Sequence, residues 1–177
     1  MTSQEIFEQL KRKFGDKILT CEEPAGPVPP CGSGAGNSPA LAGLKIEPAA
    51  LPEVMSFLKD SPEFYFDSLM CLSGVDYPGL PAGEAGHLTV VYHLFSTSHN
   101  HKIVLKTTVS KGAHFIPTVS HIWPAADWFE REAYDLLGIK FEGHPNLTRI
   151  LMPDDWAGHP LRKDYQYPKE YHGVPHS

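Results

Sequence analysis

Apolar residues first recur at helical spacing near the start of the chain. Ile6, Phe7, Leu10 and Phe14 share one face of a helix predicted over Ser3 to Phe14, with Ser3 as its N-cap and Gly15 as its stop. Lys17 to Cys21 reads as a strand, and Leu44 to Ile46 resumes one. A second helix follows from Pro48 to Asp60, with Leu51, Val54, Met55 and Leu58 on its buried face and Asp60-Ser61-Pro62 closing it. Phe64 to Met70 is apolar but fits either period, while Leu72 to Tyr77 reads as a strand ending at Pro78-Gly79. His87 to Thr97 and Lys102 to Ser110 are rich in Val, Thr, Ile and Leu and flank a polar turn at 98–101, so they predict an antiparallel hairpin. A third helix is expected after Trp123, with Pro124 in its first turn, Gly138 at its stop, and Phe129, Ala133, Leu136 and Leu137 on its buried face. Mixed helices and strands with a hairpin at the centre give an α+β fold, a mainly antiparallel sheet with helices on one face.

Two stretches lack any period. Pro24 to Gly43 is a run of Pro, Gly, Ala and Ser that reads as a loop. Its Gly32-Ser33-Gly34-Ala35-Gly36 is no phosphate cradle, because no Lys-Ser or Lys-Thr follows and Pro39 stands where a helix would begin. After Gly138 prolines recur at 145, 153, 160 and 168, which predicts an ordered, irregular tail. The expected division is therefore an α+β domain over 1–143 and an interaction tail over 144–177.

Composition removes several function classes. At 177 residues the chain is long enough for one core, burying roughly 70% of the surface its unfolded form exposes. Cys21, Cys31 and Cys71 are an odd set with no C-x-x-C pair, which argues against a disulfide framework, a zinc centre or an iron-sulfur cluster and for a reducing compartment. Cys71, in an apolar run, reads as core packing. The N-terminal residues lack a basic start and an apolar stretch, so no signal peptide or membrane span is expected. A net charge of -6 disfavours nucleic acid and anionic lipid as partners.

Candidate chemistry is sparse. No G-x-S-x-G or other nucleophile setting occurs. Among ten histidines, His99 with His101 and His172 with His176 could suggest a small metal-binding module, but neither pair has a third ligand within reach, and surface histidine is the favoured reading. Glu130 and Glu132 stand two positions apart on a helix and so point about 200° from each other, which prevents them from converging on one substrate atom. Asp127, Arg131 and Asp135 follow at four-residue spacing, so the arginine could pair with an acid above and below. His144 and His159 each sit in a Gly-His-Pro corner that fixes the backbone and suits a structural hydrogen bond or an interface contact better than catalysis. Arg162-Lys163-Asp164 offers two cations and an anion for docking against a charged groove.

These residues fall in one block, Glu130 to Tyr165, where charges alternate with Tyr134, Phe141, Trp156 and several Leu and Ile. Such a mixture suits an interface rim around an apolar centre, or a polar active site. Glu130-Arg131-Glu132, Asp135, Gly138-Ile139, Phe141, Gly143-His144-Pro145, Arg149-Ile150-Leu151 and His159 through Tyr165 resemble the pattern of the thirty-kilodalton, C-type subunit of NADH:quinone oxidoreductase, respiratory complex I. A fainter likeness runs through Val75-Asp76-Tyr77, Val91-Tyr92-His93-Leu94 and Ile122-Trp123-Pro124, so that the resemblance covers most of Leu44 to Tyr165. Thr148 departs from it, standing where a basic residue is usual before the arginine.

The resemblance implies a non-redox structural subunit of the peripheral arm, packed beside the quinone-site subunit and neighbouring peripheral-arm subunits, and held at the cytoplasmic side of the inner membrane by these partners. It implies that Glu130, Arg131, Glu132, Asp135, His144, Arg149, His159, Arg162, Lys163, Asp164 and Tyr165 form a partner interface. FMN, iron-sulfur clusters and quinone would reside in other subunits, and the isolated chain would not be catalytic. Related membrane-bound hydrogenases and quinone- or ferredoxin-linked complexes use an equivalent subunit, so the electron donor stays open.

Overall fold

The computed structural model describes residues 3–22, 43–79, 86–111 and 115–175. Three helices, α1 (Ser3–Phe14), α2 (Leu51–Asp60) and α3 (Ala126–Leu137), accompany strands β1 (Ile18–Glu22), β2 (Gly43–Ile46), β3 (Ser68–Tyr77), β4 (His87–Ser96) and β5 (His101–Ser110). These strands form one sheet in the order β1-β2-β5-β4-β3, and only the β2–β5 contact is parallel. The expected α+β class and central hairpin are therefore observed. Most of the loop expected over Pro24 to Gly43 lies outside the described residues.

Alternation in the hairpin decides where the core lies. Leu88, Val90, Tyr92 and Leu94 of β4 pair with Val109, Thr107, Leu105 and Ile103 of β5, and all eight are buried. On that face they join Ile6 and Leu10 of α1, the predicted stripe Leu51, Val54, Met55 and Leu58 of α2, and Ala133 and Leu137 of α3 in one cluster. The helices thus cover one face of the sheet.

Local differences have physical reasons. Pro48 to Ala50 forms a 3-10 turn before α2, since two prolines in the first turns remove donors that an α-helix would use. The ambiguous Phe64–Met70 segment divides: Phe64 and Phe66 fill the core from an irregular stretch, and β3 begins at Ser68. Cys71 is half-buried on β3 with its Sγ 3.3 Å from Ser73 Oγ, so the core assignment is corrected. His101 is buried rather than superficial, its Nε2 2.8 Å from the Phe64 carbonyl.

Short strands β6 (Phe115–Pro117) and β7 (Lys140–Glu142) pair in parallel across the start and end of the α3 segment. Beyond them residues 144–169 follow an irregular path back over α3 and β3, and β8 (Glu170–Tyr171) with β9 (Val174–Pro175) makes a minimal hairpin. No helix among the described residues is long and apolar enough to cross a membrane.

Candidate functional site

The buried face of α3 is rotated from the one its apolar residues suggest. Ala126, Glu130, Ala133 and Leu137 lie on the buried stripe, while Phe129 and Leu136 are only half-buried. Glu130 and Asp135 are both 0% exposed. Two acids within one helix are thus enclosed, which requires that each be matched by donors.

Asp135 obtains its donors from the tail. Its Oδ1 takes Nη1 of Arg149 at 2.8 Å, and its Oδ2 takes the backbone N–H groups of Ile150, Leu151 and Met152 at 3.1, 2.8 and 2.8 Å. Burial pushes this carboxyl up, but the three N–H groups and the arginine outweigh that and hold it below the usual carboxylate range. A second fork of Arg149, Nη2, donates to the Gly158 carbonyl at 3.1 Å.

The end of α3 is closed by the same tail. A helix leaves its last carbonyls without partners. Here His159 Nδ1 donates to the Asp135 carbonyl at 2.9 Å, the Leu161 N–H to Leu136 at 3.0 Å, and Arg162 Nε to Leu137 at 2.6 Å. The arginine also places positive charge where the helix dipole is negative. Gly138 turns the chain at φ 73°, and a Cβ there would lie 2.6 Å from the His159 ring. Burial first, then Arg162 and Arg149, lower the His159 pKa despite the Asp135 carbonyl.

A third tie reaches the sheet. Asp76 lies on the inward face of β3 with Leu72, and its carboxylate sits 2.8 Å from Lys111 Nζ and accepts the Lys163 N–H at 2.8 Å. Burial raises its pKa, yet Lys111, the Lys163 N–H and Arg162 bring the net shift downward. Asp164 stands 3.8 Å from the same lysine.

Glu130 closes the other end. Its Oε1 accepts the Val119 N–H at 2.8 Å and its Oε2 is bonded to the Thr118 hydroxyl, while His144 Nε2 lies 3.8 Å from Oε2 and 2.9 Å from Asp127 Oδ1. The Asn146 N–H donates to His144 Nδ1 at 3.1 Å, which leaves the ring proton on Nε2, facing the acids. Burial above all, with Asp127 adding and Thr118 and Val119 opposing, pushes Glu130 up to about 7.

Expected site residues thus divide by role. The side chains of Glu130, Asp135 and His144, expected at a partner interface, are fully enclosed by this chain and meet its own loops and tail. Arg149, His159 and Arg162 are largely turned inward by the bonds above. Arg131 pairs with neither Asp127 nor Asp135; it donates to the Thr148 carbonyl and hydroxyl and to the Arg149 carbonyl. Thr148, the departure from the family pattern, thereby supplies an acceptor that a cation could not. Tyr165 is half-buried, its hydroxyl donating to the Ala157 carbonyl and its ring 2.7 Å from where a Gly158 Cβ would be. Glu132, Lys163 and Asp164 remain exposed.

Lys111, Thr118 and Asp127 were not legible as members of this network. Asp76 had a signal in its parity with Leu72 along β3, and Glu130 had one in its spacing from Ala126, Ala133 and Leu137. Between α3 and β3 remains a cleft of about 220 Å³, bordered by Leu72 to Gly74, Phe129, Glu132, Leu136 and Leu161. Among the described residues no three His, Cys, Asp or Glu side chains converge to hold a metal. The arrangement buries its carboxylates against fixed donors, a chemistry suited to holding a chain in place.

The profile of the family described as "Respiratory-chain NADH dehydrogenase, 30 Kd subunit" matches residues 44–171. The C-type subunit of the NADH-quinone oxidoreductase of Chloroherpeton thalassium is 41% identical over 170 residues, 95% of this chain and 62% of its own. Its counterpart in Mycobacterium avium is 47% identical over 134 residues, 74% of this chain and 56% of its own. The chain thus spans about three-fifths of the length of these relatives. In fold it is similar to a trypsin-resistant fragment of Nqo5, with TM-score 0.61 and 24% identity over 83% of this chain and 100% of that one. It is also similar to a chain of the membrane-bound sulfane sulfur reductase, an archaeal respiratory membrane complex, with TM-score 0.67 and 23% identity over 92% and 85%.

Proposed function

The chain belongs to the family of the 30 kDa subunit of respiratory-chain NADH dehydrogenase, and from that membership we propose that it is a non-redox structural subunit of a proton-translocating NADH:quinone oxidoreductase. In this reading it occupies the peripheral arm at the cytoplasmic side of the inner membrane, beside the quinone-site subunit. FMN, iron-sulfur clusters and quinone belong to its partners, and the chain contributes no reacting group.

One observation carries the reading. The charged residues of the Glu130–Tyr165 block serve to fix an irregular tail, with Asp135 taking four donors at once. An irregular tail held this firmly presents a rigid surface, and rigid surfaces bind partners at a lower entropic cost. Exposed large apolar side chains lie along it, among them Leu151, Leu161 and Tyr167.

The test is recovery of the tagged chain from gently solubilised membranes of its own host, with identification of the co-purifying proteins and an assay of NADH-dependent quinone reduction. Co-purification with an active NADH-oxidising assembly that includes the quinone-site subunit is the expected result. Recovery with hydrogenase or other donor subunits would transfer the chain to a related complex, and recovery of the chain alone would overturn the proposal.

A further inference from the structure

From the free edge of the sheet we infer that β3 and the cleft beside it receive an extended segment of another subunit, which adds a strand to β3 and places an apolar side chain in the cleft beside a Lys or Arg that meets Glu132. The inference rests on the reading of the chain as a subunit of an assembly and specifies how one partner is held.

Strand β3 ends the sheet, with β4 on one side and, among the described residues, no strand on the other. It is ten residues long, twice the length of β1 at the opposite edge. Proteins blunt such edges with lysine, proline, β-bulges or inward-pointing charge, because unpaired backbone groups recruit other strands. The sequence Ser-Leu-Met-Cys-Leu-Ser-Gly-Val-Asp-Tyr has no lysine and no proline. Its one charge, Asp76, is turned inward and tied to Lys111 and Lys163. The edge is irregular between Leu69 and Cys71 and carries that inward charge, but from Cys71 to Tyr77 it runs on without lysine, proline or outward charge, and this stretch stays open to a partner strand.

The cleft supplies specificity for that strand. It opens directly beside Leu72, Ser73 and Gly74, and the rest of its lining is apolar apart from Glu132. Leu161 at its border is 56% exposed, so a side chain entering the cleft would cover surface that is now wet. Glu132 is exposed and has no ion pair among the described residues, and no Lys or Arg lines the cleft. An incoming cation is thus the complement this rim lacks. Backbone pairing along β3 with a pocket for an alternate side chain is the established physics of strand addition. A second copy of this chain fits less well, since each copy carries a charge of -6 and both would bring the same unpaired carboxylate.

The experiment uses the assembled complex from the host with p-benzoylphenylalanine in place of Leu161, whose backbone N–H keeps its bond to Leu136. Irradiation should join position 161 to a segment of another subunit that carries Lys or Arg within two residues of the attachment. Glu132→Lys should lower that yield about tenfold, and Glu132→Gln by less, as expected for one charge contact of about 1.4 kcal/mol. Amide exchange over 68–77 should slow in the complex relative to the isolated chain. An intact NADH-oxidising complex with no cross-link and unchanged exchange would overturn the docking alone, as would a cross-link to a helix or to a second copy. A cross-link to a paired strand in an assembly without NADH activity would overturn the NADH assignment alone, and recovery of the chain by itself would overturn both.

Discussion

Asp135 and Arg149 meet at 2.8 Å across the end of α3, and this one pair organises the tail on both sides of it. The carboxylate also draws in the next three backbone N–H groups after Arg149, so the chain from 149 to 152 wraps around a single anion. Meanwhile the other branch of Arg149 holds Gly158, one residue before the histidine that caps the Asp135 carbonyl. The side chain and the carbonyl of one aspartate therefore secure two separate turns of the tail.

Asp135→Asn should be among the most damaging conservative changes in the chain. An amide cannot accept from four donors and leaves Arg149 without its counter-charge, which is expected to cost roughly 3–5 kcal/mol. Urea denaturation of the purified chain measures this, and limited proteolysis should show cleavage within 144–165 before the sheet is attacked. Because the Asp135 pKa is depressed in the folded state, its stabilisation is present above the unfolded value of about 3.9 and is lost as the pH falls through the folded value. The variant should lack that part of the acid transition.

Glu130 acts in the opposite direction. Its folded pKa of about 7 exceeds its value in an unfolded chain, so the native state binds more protons between about pH 4.5 and 7 and loses stability as the pH rises through that window. The loss should be on the order of 3 kcal/mol, complete above about pH 7. Glu130→Gln keeps the shape without the charge, and its unfolding free energy should be flatter over the same range. Equal slopes for the two proteins between pH 5 and 7.5 would show that Glu130 is not the titrating group.

Much of the fold was legible because its signals are local. The Val-, Thr-, Ile- and Leu-rich strands flanking a polar turn, the Leu51-Val54-Met55-Leu58 stripe and the Gly138 stop each depend on neighbours in sequence, and the hairpin, α2 and the end of α3 formed where they were expected. The site was less legible because its contacts are long-range. Nothing near Lys163 indicates that its N–H bonds to Asp76, and nothing near Asp135 reveals that a tail will enclose it. Helical spacing suggested an Arg131 pair with its own helix, but the tail offered Thr148 and Arg149 carbonyls in its place, and Asp135 was already saturated. The family resemblance pointed to the Glu130–Tyr165 block while leaving open that most of its charges are used within the chain.

Gly138→Ala tests the closing of α3. The residue stands in the left-handed region, which costs an L-residue about 1–2 kcal/mol, and its methyl group would press on His159 and Arg162. A loss of about 2 kcal/mol or more is expected in thermal or urea unfolding. In the His159→Ala background the same change should cost less, since one of the crowded side chains is gone, and a double-mutant cycle would reveal that coupling.

Lys111→Met isolates the tie between the tail and the sheet. The substitution retains an unbranched side chain but removes the cation that faces the fully buried Asp76 carboxylate, leaving the Lys163 N–H as its remaining close donor. An uncompensated buried charge of this kind costs roughly 3 kcal/mol or more. Asp76→Asn in the same chain removes the stranded charge, so the double variant should recover part of the loss in urea denaturation. Lys163→Ala, in contrast, leaves the backbone N–H in place and should cost under about 0.5 kcal/mol. If Lys163→Ala proved as damaging as Lys111→Met, the tail would be held by the Lys163 side chain and the role assigned to its N–H would be wrong.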